Sequence, residues 1–326
     1  MLYGLTKVWH PENYQGGSAS LGYFEGWHFK CVTADGRAIA VIPGIAIERD
    51  GRRYAFVQIN TSAGRSLWFE LPYEAFSFSE TEFDLRFGAC SFSRDGITLD
   101  LTGEAGRVSG HVGFGEFSPW PVRLLSPGIM GPFRFAPFME CYHGVISMDH
   151  SVSGEVRIDN DVSVFDGGRG YIEKDWGRSF PKSWIWMQCN GFDRPGVSLT
   201  ASAARIPWLG SSFVGSIAGL LLDGALYRFT TYTGARLTTV RHTTGEGELV
   251  LEDRRHRLAV TASGALPGAL RSPVLGAMTG TVYESLRGEV HVRLSEQDGG
   301  RVLFDGAGTS AGIELMDPEA DLADGT

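Results

Sequence analysis

The chain is short of cysteine, with four in 326 residues, at positions 31, 90, 141 and 189. None forms a C-x-x-C pair, so a disulfide frame or thiolate zinc site is not expected; they read as reduced, half-buried strand residues. Long apolar runs are also missing. The longest, Phe213 to Leu222, is broken by Gly215, Ser216 and Gly219 and is too short to span a bilayer. The opening MLYGLTKVWHPENY has no basic stretch followed by an apolar one, so no secretion signal is visible and a cytoplasmic location is expected. Basic charge is in deficit: 29 Lys and Arg stand against 38 Asp and Glu, a net charge of −9. That balance argues against nucleic acid as the main partner. The densest basic run, Arg254-Arg255-His256-Arg257, lies between apolar alternations and reads as a solvated turn. The eight histidines show no H-x-H or H-E-x-x-H spacing, so no metal site is expected. An all-β chain would not host a G-x-S-x-G elbow between strand and helix, and no G-x-G-x-x-G loop lies between a strand and a helix, which leaves serine hydrolysis and nucleotide binding without support.

Helical periodicity is nearly absent, and short alternating runs take its place. Asp35-Gly36, Asp50-Gly51, Asp95-Gly96, Asp166-Gly167 and Asp223-Gly224 sit between such runs, a strong hairpin signal. The pattern predicts an all-β chain of consecutive antiparallel hairpins. It stops between about Phe114 and Phe138, where Pro119, Pro121, Pro127, Pro132 and Pro137 cannot donate to a ladder. That stretch reads as the connection between two β units, 1–135 and 136–326. It is apolar for a linker, carrying Trp120, Leu124, Leu125, Ile129, Met130, Phe133, Phe135 and Phe138. Packing between the units is the plain explanation, and a lid or a transient membrane-touching lip is the sharper one. From Asp317 the chain is acidic without a base and reads as a frayed tail.

Two segments are denser in polar and aromatic residues than a plain barrel needs. The first is Tyr23 to Lys30. The second runs from Gly170 to Phe192. With a period of two, Tyr171, Glu173 and Asp175 share one strand face, and Ile172, Lys174 and Trp176 the other. Beyond the turn at Gly177–Lys182, Trp184, Trp186, Gln188 and Asn190 share a face, with Ile185, Met187 and Cys189 opposite. On the earlier strand Glu25, Trp27 and Phe29 lie together. Such charges ordinarily face solvent and such indoles ordinarily fill a core. Two carboxyls enclosed on one face would instead repel, raising at least one pKa and leaving a protonated acid near neutral pH. Lys174 or Arg178 could pair with them and produce the opposite shift. His143 and His150 flank a strand-like run with Asp149 and read as structural.

Phe24-Glu25-Gly26-Trp27-His28-Phe29-Lys30 resembles the F-E-G-W-Y-F-K signature of tocopherol cyclase-like proteins, with His10-Pro11-Glu12 matching the lead-in. Gly170 to Phe192 looks like their second signature, an acidic K-N/D-W-G-x-x-F-P run followed by W-x-W-x-Q-C-N. The likeness runs in register from about His10 to about Leu315. His28 departs from the usual tyrosine, Asp175 from the asparagine of plant and cyanobacterial enzymes, and the central insertion is shortened to Pro119–Pro137. The resemblance implies two consecutive lipocalin-like (calycin) β-barrels. It implies a cofactor-independent enzyme that closes a chromanol ring on a prenylated hydroquinone, and distant kinship with carotenoid 1,2-hydratases, in which the acidic residue of the run falls on Glu173.

That chemistry needs a strong acid in a dry pocket, π faces around a tertiary cation and polar groups to orient the quinol. The expected catalytic residues are Asp175, Glu173 and Tyr171. Trp184, Trp186, Gln188, Asn190, Glu25, Trp27 and Trp176 are expected to bind a lipophilic substrate. Position at the strand end, beside the paired indoles, favours Asp175 as donor, while kinship favours Glu173. A hydratase acting on the same cation and a non-catalytic carrier of a lipophilic molecule are the alternatives.

Overall fold

The computed structural model describes residues 6–16, 21–137, 139–208, 210–264, 267–316 and 322. Among these, fourteen strands precede Phe180: β1 Tyr23–Val32, β2 Ala38–Ile47, β3 Arg53–Thr61, β4 Ser66–Pro72, β5 Phe76–Phe78, β6 Asp84–Phe87 and β7 Cys90–Ser93. They continue with β8 Gly96–Gly103, β9 Gly106–Phe114, β10 Val122–Arg123, β11 Ser126–Pro127, β12 Cys141–Ile158, β13 Asp161–Val164 and β14 Gly168–Gly177. The second half supplies β15 Trp184–Cys189, β16 Gly191–Phe192, β17 Ser198–Trp208, β18 Ser211–Leu222, β19 Ala225–Thr230 and β20 Arg236–Thr243. It ends with β21 Glu246–Glu252, β22 His256–Ser263, β23 Gly268–Val274, β24 Ala277–Glu296 and β25 Val302–Met316. The five Asp-Gly pairs named above lie at strand junctions. At Gly36, Gly51, Gly167 and Gly224 φ lies between 74° and 94°, a backbone region that glycine adopts without a Cβ clash. Among the described residues helix amounts to Thr6 and four short 3-10 segments, so the all-β expectation holds.

Two large antiparallel sheets result, of twelve and eleven strands. The first runs β4-β3-β2-β1-β14-β12-β9-β8-β7-β6-β5, with β13 beside β12. It curls until β3 meets β6 and β4 meets β8. The second runs β19-β18-β17-β15-β25-β24-β22-β21-β20. Each has its own apolar core. Trp27, Phe29, Val41, Val57, Phe87, Phe92 and Ile172 belong to the first, and Ile185, Met187, Leu199, Leu220, Leu249 and Val292 to the second.

The units do not divide in the proline-rich stretch. One comprises Met1–Thr61, Arg65–Phe180 and Leu270–Thr281, the other Ser62–Gly64, Pro181–Ala269 and Val282–Thr326. The expected 1–135 and 136–326 division is therefore corrected to one near Phe180. Prolines do keep residues 115–137 out of the large sheet, but the sheet resumes after them. β12 pairs with β9 from Val152 opposite Phe114 to Ile158 opposite Val108, so the stretch joins two neighbouring strands. Met148 N–H donates to Ser118 O and Ser118 N–H to Asp149 O, and Trp120, Ile129 and Met130 are buried. Leu124 and Leu125, at the tip of the β10–β11 hairpin, are 72% and 77% exposed. Phe138 and the acidic residues from Asp317 lie outside the described residues.

The hairpin Leu270–Thr281 completes the first unit. Arg271 N–H donates to Gln58 Oε1 at 2.7 Å, Met278 N–H donates to Tyr54 Oη at 3.1 Å, and Arg271 stacks over Trp68. Met278 also joins Ala46, Tyr54 and Phe56 in a small apolar cluster.

Inside the first unit, facing its core, lies a buried ion pair between Lys174 on β14 and Glu25 on β1, 2.6 Å apart and wholly shielded from solvent. Lys174 also donates to Asn13 O at 2.5 Å and sits 4.5 Å from the Trp27 ring and 5.0 Å from that of Trp176. Glu25 accepts from Gln15 N–H, Gly16 N–H and the Tyr23 hydroxyl. Burial lowers the Lys174 pKa to about 8, against the pull of Glu25. Removing one member of such a pair strands the other. Glu25→Ala should cost about 3–5 kcal/mol, and Lys174→Met less, because Glu25 keeps three donors. Urea unfolding of both variants, followed by tryptophan fluorescence, checks the order.

Candidate active site

β14 is flanked by β1 and β12, both antiparallel to it, so three strands fix what surrounds its outward face. Glu173 stands opposite His28 on β1 and Val145 on β12, and Asp175 opposite His143. Ile172 belongs to the apolar core, so strand alternation turns Tyr171, Glu173 and Asp175 away from it. Gly177 closes the strand at φ +146°, where a Cβ would lie 2.2 Å from Glu140 O. Only glycine lets the chain turn there.

The three expected residues do gather, and His143 joins them. Tyr171 donates its hydroxyl to Glu173 Oε2 at 2.6 Å. His143 places Nδ1 3.0 Å from Asp175 Oδ1 and Nε2 3.6 Å from Glu173 Oε2. The Cys141 thiol lies 3.8 Å from Asp175 Oδ1 and is held protonated by burial and by that carboxylate.

The face is outward but not solvated, and exposure separates the two carboxyls. The Glu173 side chain is 7% exposed, that of Asp175 24%. Burial raises the Glu173 pKa, and the Asp175 charge adds to it. His143, His28 and the Tyr171 hydroxyl work against the rise without cancelling it. Geometry thus makes Glu173 the more enclosed of the two carboxyls, whereas strand-end position favours Asp175 as donor. Lys174 does not neutralise the pair. Lys174 points to the opposite face, at Glu25.

Glu25, Trp27 and Trp176 are not part of this cluster. They lie across the sheet from it, where Trp27 donates to Glu12 O at 2.7 Å and Trp176 stacks on Tyr142 under Arg134. Glu25 and Trp27 bind the chain's lead-in segment to the sheet. Trp184, Trp186, Gln188 and Asn190 belong to the second unit. Ile185, Met187 and Cys189 enter its core, so the former four face away from it, as alternation predicts. All four are buried, and Trp184 Nε1–H donates to Glu314 Oε2 at 2.6 Å.

Among the described residues, His143, Glu173 and Asp175 are the one group of ligand-type side chains drawn within 4.8 Å of one another. The imidazole presents one nitrogen to each carboxylate, so it bridges them instead of sharing a common centre with them. His143 was read as structural from sequence. Its role depends on the β12–β14 register, which shifts between Val145 and Ser147 and again before His150.

Residues 127–316 match the tocopherol cyclase-like family, more than half of the chain. The chain belongs to that family. A relative named "Tocopherol cyclase, chloroplastic", from Zea mays, is 28% identical over 205 residues, 59% of this chain and 42% of that protein. One named "Probable tocopherol cyclase, chloroplastic", from Oryza sativa subsp. japonica, is 28% identical over 189 residues, 55% and 40%. The chain therefore spans about two-fifths of the length of these curated relatives. The structure of kievitone hydratase from Nectria haematococca superposes with TM-score 0.54 at 11% identity, covering 94% of this chain and 92% of that one, and shares the fold. The Phe24–Lys30 motif precedes the matched span and is tied to it by the β1–β14 ladder.

A raised pKa has a definite sign for stability. A carboxyl whose folded pKa lies above its unfolded value stabilises fully below the unfolded value, and that contribution is lost as pH rises through the folded pKa. Glu173→Gln, which mimics the protonated form, should match the parent's melting temperature near pH 4 and exceed it at pH 8. Thermal unfolding of both proteins across that range checks the crossing.

Proposed function

We propose that this protein is a tocopherol cyclase-like enzyme that closes a chromanol ring by acid-catalysed cyclisation of a prenylated hydroquinone or related terpenoid. The observation that carries the reading is Glu173, a carboxyl enclosed on the outward face of its sheet, braced by Tyr171, its pKa raised by burial. Glu173 delivers its proton to the less substituted carbon of a trisubstituted prenyl double bond, leaving a tertiary cation. The neighbouring phenolic oxygen bonds to the cation and sheds its proton. Substrate and product have the same composition, and no redox change occurs.

The test is incubation with a prenylated hydroquinone under anaerobic conditions, read by chromatography and mass spectrometry. Cyclisation shifts retention at constant mass. Addition of one water would identify a hydratase, the activity named for the kievitone hydratase that shares this fold. A bound but unchanged ligand would identify a carrier. Glu173→Gln should lower turnover by about 10²–10⁴ while leaving ligand affinity nearly intact, because the amide keeps the shape and loses only the acid. Asp175→Asn should cost less.

Leu124 and Leu125 give the same reading a route to its substrate. Exposed at a hairpin tip beside Arg123, they would touch the membrane in which a prenylated quinol dissolves. Replacing both by Asp should reduce retention on anionic liposomes at least several-fold and leave turnover of detergent-dispersed substrate unchanged.

A further inference from the structure

Cyclisation leaves the enzyme one proton short at Glu173 and one proton in excess at the closing hydroxyl. The cycle needs a group that takes the second and restores the first. The groups around Glu173 are Tyr171 and Asp175 on its own strand, His28 on β1, and His143 and Cys141 on β12. Tyr171 already donates to Glu173, and the Cys141 thiol is held protonated. Asp175 is occupied by the imidazole of His143 and by that thiol. His143 has one ring nitrogen fixed by a carboxylate and the other aimed at the acid.

We propose that His143 is the proton-return residue of this site, oriented by Asp175 and acting through Glu173. The proposal rests on the reading of Glu173 as the acid. Asp175, as carboxylate, accepts the Nδ1–H of His143 at 3.0 Å and so leaves Nε2 with its lone pair facing Glu173 Oε2 at 3.6 Å. Such contacts are commonly long before substrate binds and tighten in the reacting complex. In the balanced sequence, the Glu173 O–H breaks as the substrate C–H forms. The substrate oxygen then bonds to the cation, and its O–H proton passes to His143 Nε2. The imidazolium returns that proton to Glu173. Nothing is oxidised, and Asp175 serves throughout as the positioning residue.

Two measurements test this. The first needs no turnover. Nitrogen-15 NMR of histidine-labelled protein should show neutral His143 with its proton on Nδ1 in the parent, and a mixed or reversed tautomer in Asp175→Asn. A proton on Nε2 in the parent, or no response to Asp175→Asn, overturns the proposal. The second is kinetic. His143→Gln should lose about 10²–10⁴ in kcat with KM within twofold, and added imidazole should restore a measurable part of the loss, whereas Glu173→Gln should not respond. Full activity in His143→Gln beside an inactive Glu173→Gln would retire the relay and leave the acid standing. An inactive parent would retire the cyclase reading, and the tautomer result would still decide the arrangement. If His143→Gln does not fold, that same result decides.

Discussion

The first unit depends on how β14 disposes of charge. One strand carries a lysine to its inner face and two carboxyls to its outer one, and neither face is left to water. On the inner side the solution is neutralisation. Lys174 and Glu25 cancel each other, and their remaining hydrogen-bonding capacity is met by Asn13, Gln15, Gly16 and Tyr23. A buried pair of this kind seldom adds stability over a well-packed apolar pair, but it tolerates no partial loss. It fixes the β1–β14 register and draws residues 12–16 onto the strands. The outer-face geometry follows from that register, because His28 and Glu173 are opposite one another only when Trp27 is opposite Lys174.

On the outer side the charges are left imperfectly matched. Glu173 receives a hydroxyl and faces two imidazoles, yet burial still dominates its protonation. A structural ion pair would settle the proton on one partner. Here Tyr171, Glu173, His143 and Asp175 are linked over short distances, the arrangement that the proposed proton relay uses. The two faces of one strand thus differ: the inner holds a matched charge pair, the outer an enclosed carboxyl whose pKa burial raises.

Much of this was legible in the sequence, for identifiable reasons. Asp-Gly turns and period-two runs report local conformation, so the hairpins could be read directly. Alternation also placed Tyr171, Glu173 and Asp175 together, and separated Trp184, Trp186, Gln188 and Asn190 from Ile185, Met187 and Cys189. What alternation cannot say is which face is the core. Glu25, Trp27 and Trp176 were assigned to a ligand because a carboxylate beside indoles resembles a pocket, when Lys174 was its partner across the ladder. The prolines from Pro119 to Pro137 correctly marked residues outside the ladder, but a loop between paired strands carries the same mark as a linker between units. His143 lies thirty-two positions from Asp175, and only the pairing of β12 with β14, bulges included, brings them together.

The hairpin Leu270–Thr281 has a consequence for biosynthesis. Tyr54, Gln58 and Trp68 emerge from the ribosome early, but the residues that cover them are translated on the order of ninety positions after Phe180. At roughly 5–20 residues per second, the first sheet waits about 5–20 s with that flank bare. The amino-terminal unit therefore cannot finish folding as a vectorial, self-contained step. Splitting the gene at the apparent boundary would deliver two incomplete proteins, and chaperone demand should be highest while that last piece is still being made.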